Sequence, residues 1–169
     1  MMDTISALMD RGLITDDQRI TIAGFCNRWN CSIFHALIEA NIISESDYAD
    51  QAADILNLPR VTNIKSNSFE QKYLELLPFH FARSRACVVL GSDDSGGYSR
   101  IRVAISDPWD FQSRQMVEDL VQLKVEWCVG EHTDVIEAID RHFPVSSIVP
   151  HFWETLAGKS VLKDSRESF

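Results

Sequence analysis

No stretch of this sequence is both apolar enough and long enough to cross a bilayer. The N-terminus, Met-Met-Asp-Thr-Ile-Ser, lacks the basic region and apolar core of a secretory signal. These absences predict a cytoplasmic chain with no direct membrane insertion. Basic residues are also scarce. Lys plus Arg number 16 against 25 Asp plus Glu, a net charge of −9, and no basic cluster occurs. That balance argues against nucleic acid or an anionic membrane surface as a partner. It leaves room for an anionic ligand held by a few Arg residues or backbone N–H groups. The four cysteines, Cys26, Cys31, Cys87 and Cys128, include no CxxC pair. They read as reduced thiols, mostly buried. Cys26 and Cys31 flank a helix end but lack the second ligand pair of a structural zinc site.

The signatures of catalysis are missing as well. Gly158-Lys159-Ser160 has the tail of a phosphate-binding loop, but that loop needs a Gly where Trp153 stands and an apolar strand leading in. The five histidines, His35, His80, His132, His142 and His151, show no metal-site spacing. The carboxylate pairs Asp16-Asp17 and Asp93-Asp94 fall at a helix start and a turn, where such residues serve the backbone; no pair reads as general acid and base. Arg100 and Arg102 share the polar face of one strand, open to an anion or an acidic partner but more simply solvating the sheet. The expectation is no catalytic residue, no metal and no cofactor, hence not an enzyme.

What is present is a repeat. Ala7 to Gln18 and Ala36 to Asp47 share one grammar: an apolar pair, an acidic residue, Gly or Asn, an apolar pair, Thr or Ser, an acidic residue. Gly12 and Asn41 can take the left-handed conformation that ends a helix. Thr15 and Ser44 can then cap the next one, with Asp16-Asp17 or Glu45 at its positive end. This predicts helices over about 4–11, 16–29, 32–40 and 45–56, ended at Asn57-Leu58-Pro59. The apolar side of the second carries Ile20, Ile22, Ala23, Phe25 and Cys26. Four short amphipathic helices must pack on one another to be stable.

Beyond Arg60 lies a connector with a short strand expected around Val61 to Ile64. Ser68 is expected to cap a helix carrying Tyr73, Leu74 and Leu77; Pro78 opens a turn with Phe79, Phe81 and Ala82 inward. Ala86 to Leu90 reads as a buried strand, 92–97 as a turn, and Arg100 to Ile105 as a half-buried strand, together a hairpin. A helix from Phe111 to Leu123 is expected to bury Phe111, Met116, Val117, Leu120 and Val121. Val125 to Val129 alternates as a third strand. Thr133 caps a last helix with Val135, Ile136, Ile139 and Phe143 inward, and His151 to Gly158 reads as one more short helix before a Ser-rich end. The fold class is α+β: a small helical bundle from a duplicated helix-turn-helix unit, then a three-stranded β-β-α-β-α part. The expected divisions are 1–60, 61–145 and 146–169.

With both halves in view the chain resembles the N-terminal domain of bacterial type II secretion and type IV pilus assembly ATPases (general secretory pathway protein E), a domain also fused to some glycosyltransferases. The residues that carry the resemblance are Leu-Met-Asp-Arg-Gly-Leu-Ile-Thr at 8–15, Leu-Ile-Glu-Ala-Asn-Ile-Ile-Ser at 37–44, Ala-Ala-Asp-Ile-Leu-Asn-Leu-Pro at 52–59, Leu-Leu-Pro at 76–78 and Val-Ala-Ile-Ser-Asp-Pro-Trp-Asp at 103–110. The resemblance implies a non-catalytic regulatory domain that docks a secretion ATPase or a synthase to a cytoplasmic or membrane-anchored protein partner, with recruitment to the inner membrane. One branch of the family is similar to a tandem cyclic di-GMP receptor, whose units each begin Arg-Leu-Gly. By that resemblance the ligand-binding positions here are Leu8, Met9, Gly12, Leu37, Ile38 and Asn41. Yet Asp3-Thr4-Ile5 and Ser32-Ile33-Phe34 stand where Arg-Leu-Gly would fall. Without the Arg residues an anionic dinucleotide loses its charge-assisted bonds. Cyclic di-GMP sensing by a degenerate motif therefore ranks below structural use of the repeat. No ATPase nucleotide loop is found, so the chain reads as an N-terminal fragment or a stand-alone adaptor.

Overall fold

A computed structural model describes residues 4–66, 69–93 and 100–143. Its first half follows the capping signals. Helix α1 (Thr4–Asp10) and helix α3 (Ile33–Glu39) end in the same way. Gly12 and Asn41 are left-handed, with φ of +69° and +51°. Gly12 N donates to Met9 O at 2.8 Å and Leu13 N to Leu8 O at 3.0 Å; Asn41 N donates to Ile38 O at 2.9 Å and Ile42 N to Leu37 O at 3.0 Å. These paired bonds make a Schellman motif at each helix end, and they absorb carbonyls that helix termination would orphan. The duplication is thus repeated in the backbone bonds, 29 residues apart.

The following helices start as the sequence predicts. Thr15 caps α2 (Asp16–Trp29) in a reciprocal capping box with Gln18, and Ser44 caps α4 (Glu45–Leu56) through Asp47 N. Ser32 caps α3 through His35 N. Helix α2 departs from expectation on its apolar side: Ile22 alone in that helix is buried, Ala23 is exposed, and Ile20 and Trp29 are 63% and 66% exposed. Phe25 and Cys26 are half-buried against the helical core, so the side of α2 that packs is Ile22 with Phe25 and Cys26, and Ile20 and Ala23 fall outside it.

No strand forms at Val61–Ile64. Arg60 makes an isolated parallel bridge to Val129, and Ile64–Ser66 is a 3-10 turn whose Ile64 N–H goes to Asp134 Oδ2 at 2.6 Å. Short helices α5 (Gln71–Leu74) and α6 (Phe79–Ser84) lead into the sheet. The expected cap at Ser68 lies outside the described residues, as do 94–97 of the hairpin turn and the helix expected at 151–158.

The sheet has order β1-β2-β3, formed by β1 (Cys87–Asp93), β2 (Arg100–Ile105) and β3 (Lys124–Val129). The first pair is antiparallel, with an irregularity between Val89 and Gly91; the second is parallel. Helix α7 (Phe111–Val121) makes the crossover that a parallel pair requires. It covers the Trp127 face: Trp127 Nε1 donates to Glu118 at 3.0 Å and the Arg114 guanidinium lies 5.1 Å from the Trp127 ring. Helix α8 (His132–His142) covers the opposite face, where a Cβ on Gly130 would stand 2.5 Å from Ile64 Cδ1, 2.9 Å from Val135 Cγ2 and 3.9 Å from Ala104 Cβ.

Two expectations about these helices fail. Helix α7 buries Ser113, Val117 and Val121, whereas Phe111, Met116 and Leu120 are 38%, 41% and 47% exposed. The helix has apolar residues on two sides and the sheet covers only one. Thr133 is not a cap either. It lies inside α8, and its N–H and hydroxyl both donate to the Glu45 carboxylate, at 2.8 and 3.1 Å. Glu45 of α4, 88 residues away, thus joins Glu131 and Asp134 as a negative group at that helix end.

Candidate functional site

The six positions suggested by the receptor resemblance divide between core and surface. Leu8 and Leu37 are fully buried in the helical core; Met9 and Ile38 pack on its margin, half-buried. Gly12 and Asn41 are exposed at the two matched turns. The apolar four therefore hold the bundle together, and the other two shape its turns. A shallow depression beside the second turn, lined by Leu13, Asn41, Ile42, Ser44, Asp47 and Gln51 among others, has a volume of about 390 Å³.

In the second unit the residues that the receptor resemblance sets against Arg-Leu-Gly are Ser32, Ile33 and Phe34. Ser32, in the place of Arg, uses its hydroxyl on His35, accepting from His35 N at 3.3 Å and lying 2.9 Å from His35 Nδ1. Phe34, in the place of Gly, is only 3% exposed. Its ring centroid lies 4.9 Å from Tyr48, 5.4 Å from His132 and 5.3 Å from His35. Where a Gly would leave space for a close approach, an aromatic side chain fills it.

Phe34 also forms part of the wall of a larger cleft of about 580 Å³ between the helical half and the sheet. The cleft lies where β2 and β3 end and α7 and α8 begin, the end of a parallel pair at which α/β folds bind ligands. His35, Arg85, Ser106, Asp107, Trp109 and His132 line it. Behind it Tyr48, with no exposed surface, donates its hydroxyl to Asp107 Oδ1 at 2.8 Å, and Trp109 N donates to the same oxygen at 3.2 Å. Burial raises the Asp107 carboxyl above its ordinary 3.8, against the lowering effect of those two bonds. The Tyr48 hydroxyl is pushed well above 10, by burial and then by the adjacent carboxylate. His132 Nδ1 lies 3.2 Å from Ser106 Oγ. Burial lowers the His132 imidazole below 6.5; the charge of Glu45 acts the other way, and His35 and Arg83 add to the lowering. The indole Nε1 of Trp109 is buried without a hydrogen-bond partner.

Chemically this is a seam between the helical half and the sheet. Each acid serves a local bond: Asp107 holds Tyr48 and Trp109 N, and Asp110 caps α7 through Ser113 N at 2.9 Å. Further ties cross it. Arg60 bonds Asp50 of α4 at 2.8 Å and Glu131 at 2.7 Å, and Glu45 holds the start of α8. The helical core includes Trp109 and Val129 from the second half. The sequence offers 103–110 as one of the segments that carry the family resemblance, but it does not point to Glu45, Tyr48 and His132 as companions of Asp107. Their signal is tertiary: Tyr48 and Asp107 are 59 residues apart. Among the described residues no group of three or more His, Cys, Asp or Glu is placed to hold a metal, and no helix is long and apolar enough to cross a membrane.

The family model of the MshEN domain matches residues 56–147, more than half of the chain. The type IV pilus assembly ATPase PilB of Thermus thermophilus is 27% identical over 139 residues, which is 82% of this chain but only 15% of that ATPase. Among solved structures, the N-terminal domain of XpsE superposes with a TM-score of 0.68 at 21% identity, covering 83% of this chain and 93% of that one. A structure of MshE with cdg (cyclic di-GMP) superposes with a TM-score of 0.63 at 20% identity, covering 81% and 96%. At these identities the superpositions establish the α+β fold, a helical part followed by a three-stranded mixed sheet with helices. With that fold and the family match over its second half, the chain belongs to the MshEN domain family.

Proposed function

We propose that this chain is a non-catalytic regulatory domain that docks a larger secretion or pilus assembly ATPase onto a protein partner, cytoplasmic or anchored in the inner membrane. The observation that carries the reading is the state of the second repeat unit. The helical frame of a tandem receptor is kept, down to matched Schellman bonds at Leu8-Met9 and Leu37-Ile38. The ligand-holding chemistry is replaced by Ser32, whose hydroxyl is spent as a cap, and by Phe34, buried against Tyr48 and His132. Such a unit serves as a rigid support for a surface. Exposed apolar side chains suited to a partner are present on both halves: Ile20 and Trp29 on α2, Met116, Leu120 and Leu123 on and beside α7. The test is co-purification of the chain with the cytoplasmic portion of the inner-membrane component of its own secretion or pilus system. A stable complex that Met116→Asp and Leu120→Asp weaken supports docking through α7; no complex at tens of micromolar overturns it.

A second reading is kept because of the likeness to MshE, whose structure was determined with cdg. In it, this domain senses cyclic di-GMP through Gly12, Asn41 and the backbone of the matched turns. Titration with cyclic di-GMP, followed by calorimetry and by melting temperature, separates the two. Saturable micromolar binding favours sensing, and no heat and no shift favours the support role.

A further inference from the structure

The sheet ends in two unlike edges. Strand β1 carries an irregularity between Val89 and Gly91, which blunts it for pairing. Strand β3 keeps a regular register with β2 along its whole length. Its far side is covered only at Val129, whose N–H donates to Pro59 O at 2.9 Å and whose C=O accepts from Val61 N at 2.9 Å. On the near side Gly130 N donates to Ile105 O at 3.1 Å. Backbone groups alternate in direction along a strand, so Val125 and Trp127 turn away from β2 as Val129 does. Their N–H and C=O groups lie on the open edge, and among the described residues no backbone hydrogen bond reaches them. The charges beside that edge are also unbalanced. Lys124 is exposed, has no ion pair among the described residues, and stands in register with a like charge, Arg100. Glu126, on the same face, bonds Arg100 at 2.7 Å and stands in register with Arg102.

We propose that the edge of β3 pairs with a second copy of this chain, strand against strand and antiparallel, about a two-fold axis between the two Val125 residues. Each Val125 then exchanges both backbone hydrogen bonds with the other, and the two three-stranded sheets become one. Trp127 stands opposite the second copy's Leu123, which is 44% exposed in the single chain. Lys124 stands opposite the second copy's Glu126, so two cross-strand ion pairs form and each Lys124 gains the acid that its own chain does not give it. The neighbouring registers fail. Centring on Glu126 sets two like charges directly opposite. Centring on Trp127 sets the second copy's Val125 against Val129, where 59–61 already lies. Centring on Lys124 needs Gln122 in the strand, but Gln122 is left-handed, with φ of +54°. An edge this short covers less than the roughly 800 Å² per partner of a stable interface, so the pair is weak and depends on concentration.

The experiment is sedimentation equilibrium of the whole chain over concentrations up to about 1 mM, with circular dichroism to show that each variant is folded. The expected result is a mass that climbs from monomer toward dimer and no further. Val125→Pro removes an N–H that the single chain leaves unused, so it is expected to fold and stay monomeric. Lys124→Glu and Glu126→Lys each set like charges opposite one another, and each alone is expected to stay monomeric. Mixed in equal amounts they restore both ion pairs, and the mixture is expected to dimerise unless Val125→Pro is added to either. A wild type that is monomeric at about 1 mM, a dimer that survives Val125→Pro or Lys124→Glu, or a mixture no more associated than its components would each overturn the proposal. None of these outcomes depends on whether the domain docks a different protein.

Discussion

Phe34→Ala is the perturbation that probes the seam most sharply. The side chain is 3% exposed and touches Tyr48, His35 and His132, residues of α4, α3 and α8. Truncating a buried Phe to Ala costs about 3–5 kcal/mol through lost transfer energy and the cavity left behind. The upper half of that range applies here. The walls belong to different elements tied by Glu45–Thr133 and Tyr48–Asp107, so the space cannot collapse freely. Against a total stability of about 5–15 kcal/mol, the loss is large. For a chain of this size each kcal/mol moves the melting temperature by about 2–4 °C, so a fall of about 10 °C is expected. Phe34→Leu keeps most of the volume but removes the aromatic pairs, each contributing about 0.5–1.5 kcal/mol, and should cost roughly 1–2 kcal/mol. Urea unfolding followed by far-ultraviolet circular dichroism measures both. If Phe34→Ala cost less than about 1 kcal/mol, Phe34 would not be the filled glycine position of a locked unit and the reasoning would fail.

Four other outcomes follow from the same geometry. Tyr48→Phe leaves the buried Asp107 oxygen with only the Trp109 N–H, and should cost about 1–3 kcal/mol in the same unfolding assay with little change of slope. His132 has a folded pKa below 6.5, so between that value and 6.5 the unfolded chain binds more protons and stability falls as pH is lowered through this window. His132→Gln should flatten that decline in unfolding curves taken from pH 7.5 to 5. Asp107 has the opposite sign: its raised pKa contributes stability that is fully present below 3.8 and is lost as pH rises through its folded value. Gly12→Ala meets no atom within 4 Å but needs φ of +69°, so circular dichroism melts should show a loss of about 1 kcal/mol, and Asn41→Gly should show a small gain.

The parts of the fold that the sequence reveals are those whose causes are local. Thr15, Ser32 and Ser44 each bond a backbone N–H three residues on, so the helix starts can be read from a few positions. Gly12 and Asn41 work through their own backbone angles. The first strand follows from an apolar run and the other two from alternation, but neither pattern carries direction, and the parallel pairing of β2 with β3 comes from the α7 crossover. The misreadings share one cause, a partner remote in sequence. Apolar Met116 and Leu120 look like core until the sheet is seen to cover only the other side of α7. Thr133 looks like a cap until Glu45 arrives from α4. The cleft was illegible for the same reason, since His35 and His132 are neighbours only after both halves fold, with ring centroids 5.6 Å apart.

The central proposal is that the second repeat unit of this MshEN domain is filled by its own side chains and holds no cyclic di-GMP. Isothermal titration of the purified chain with cyclic di-GMP tests it most directly. The account predicts no saturable heat up to about 100 μM ligand, a concentration at which a micromolar site would be almost fully occupied. Saturable binding at low micromolar concentration, lost in Asn41→Asp or Gly12→Asp, would contradict it.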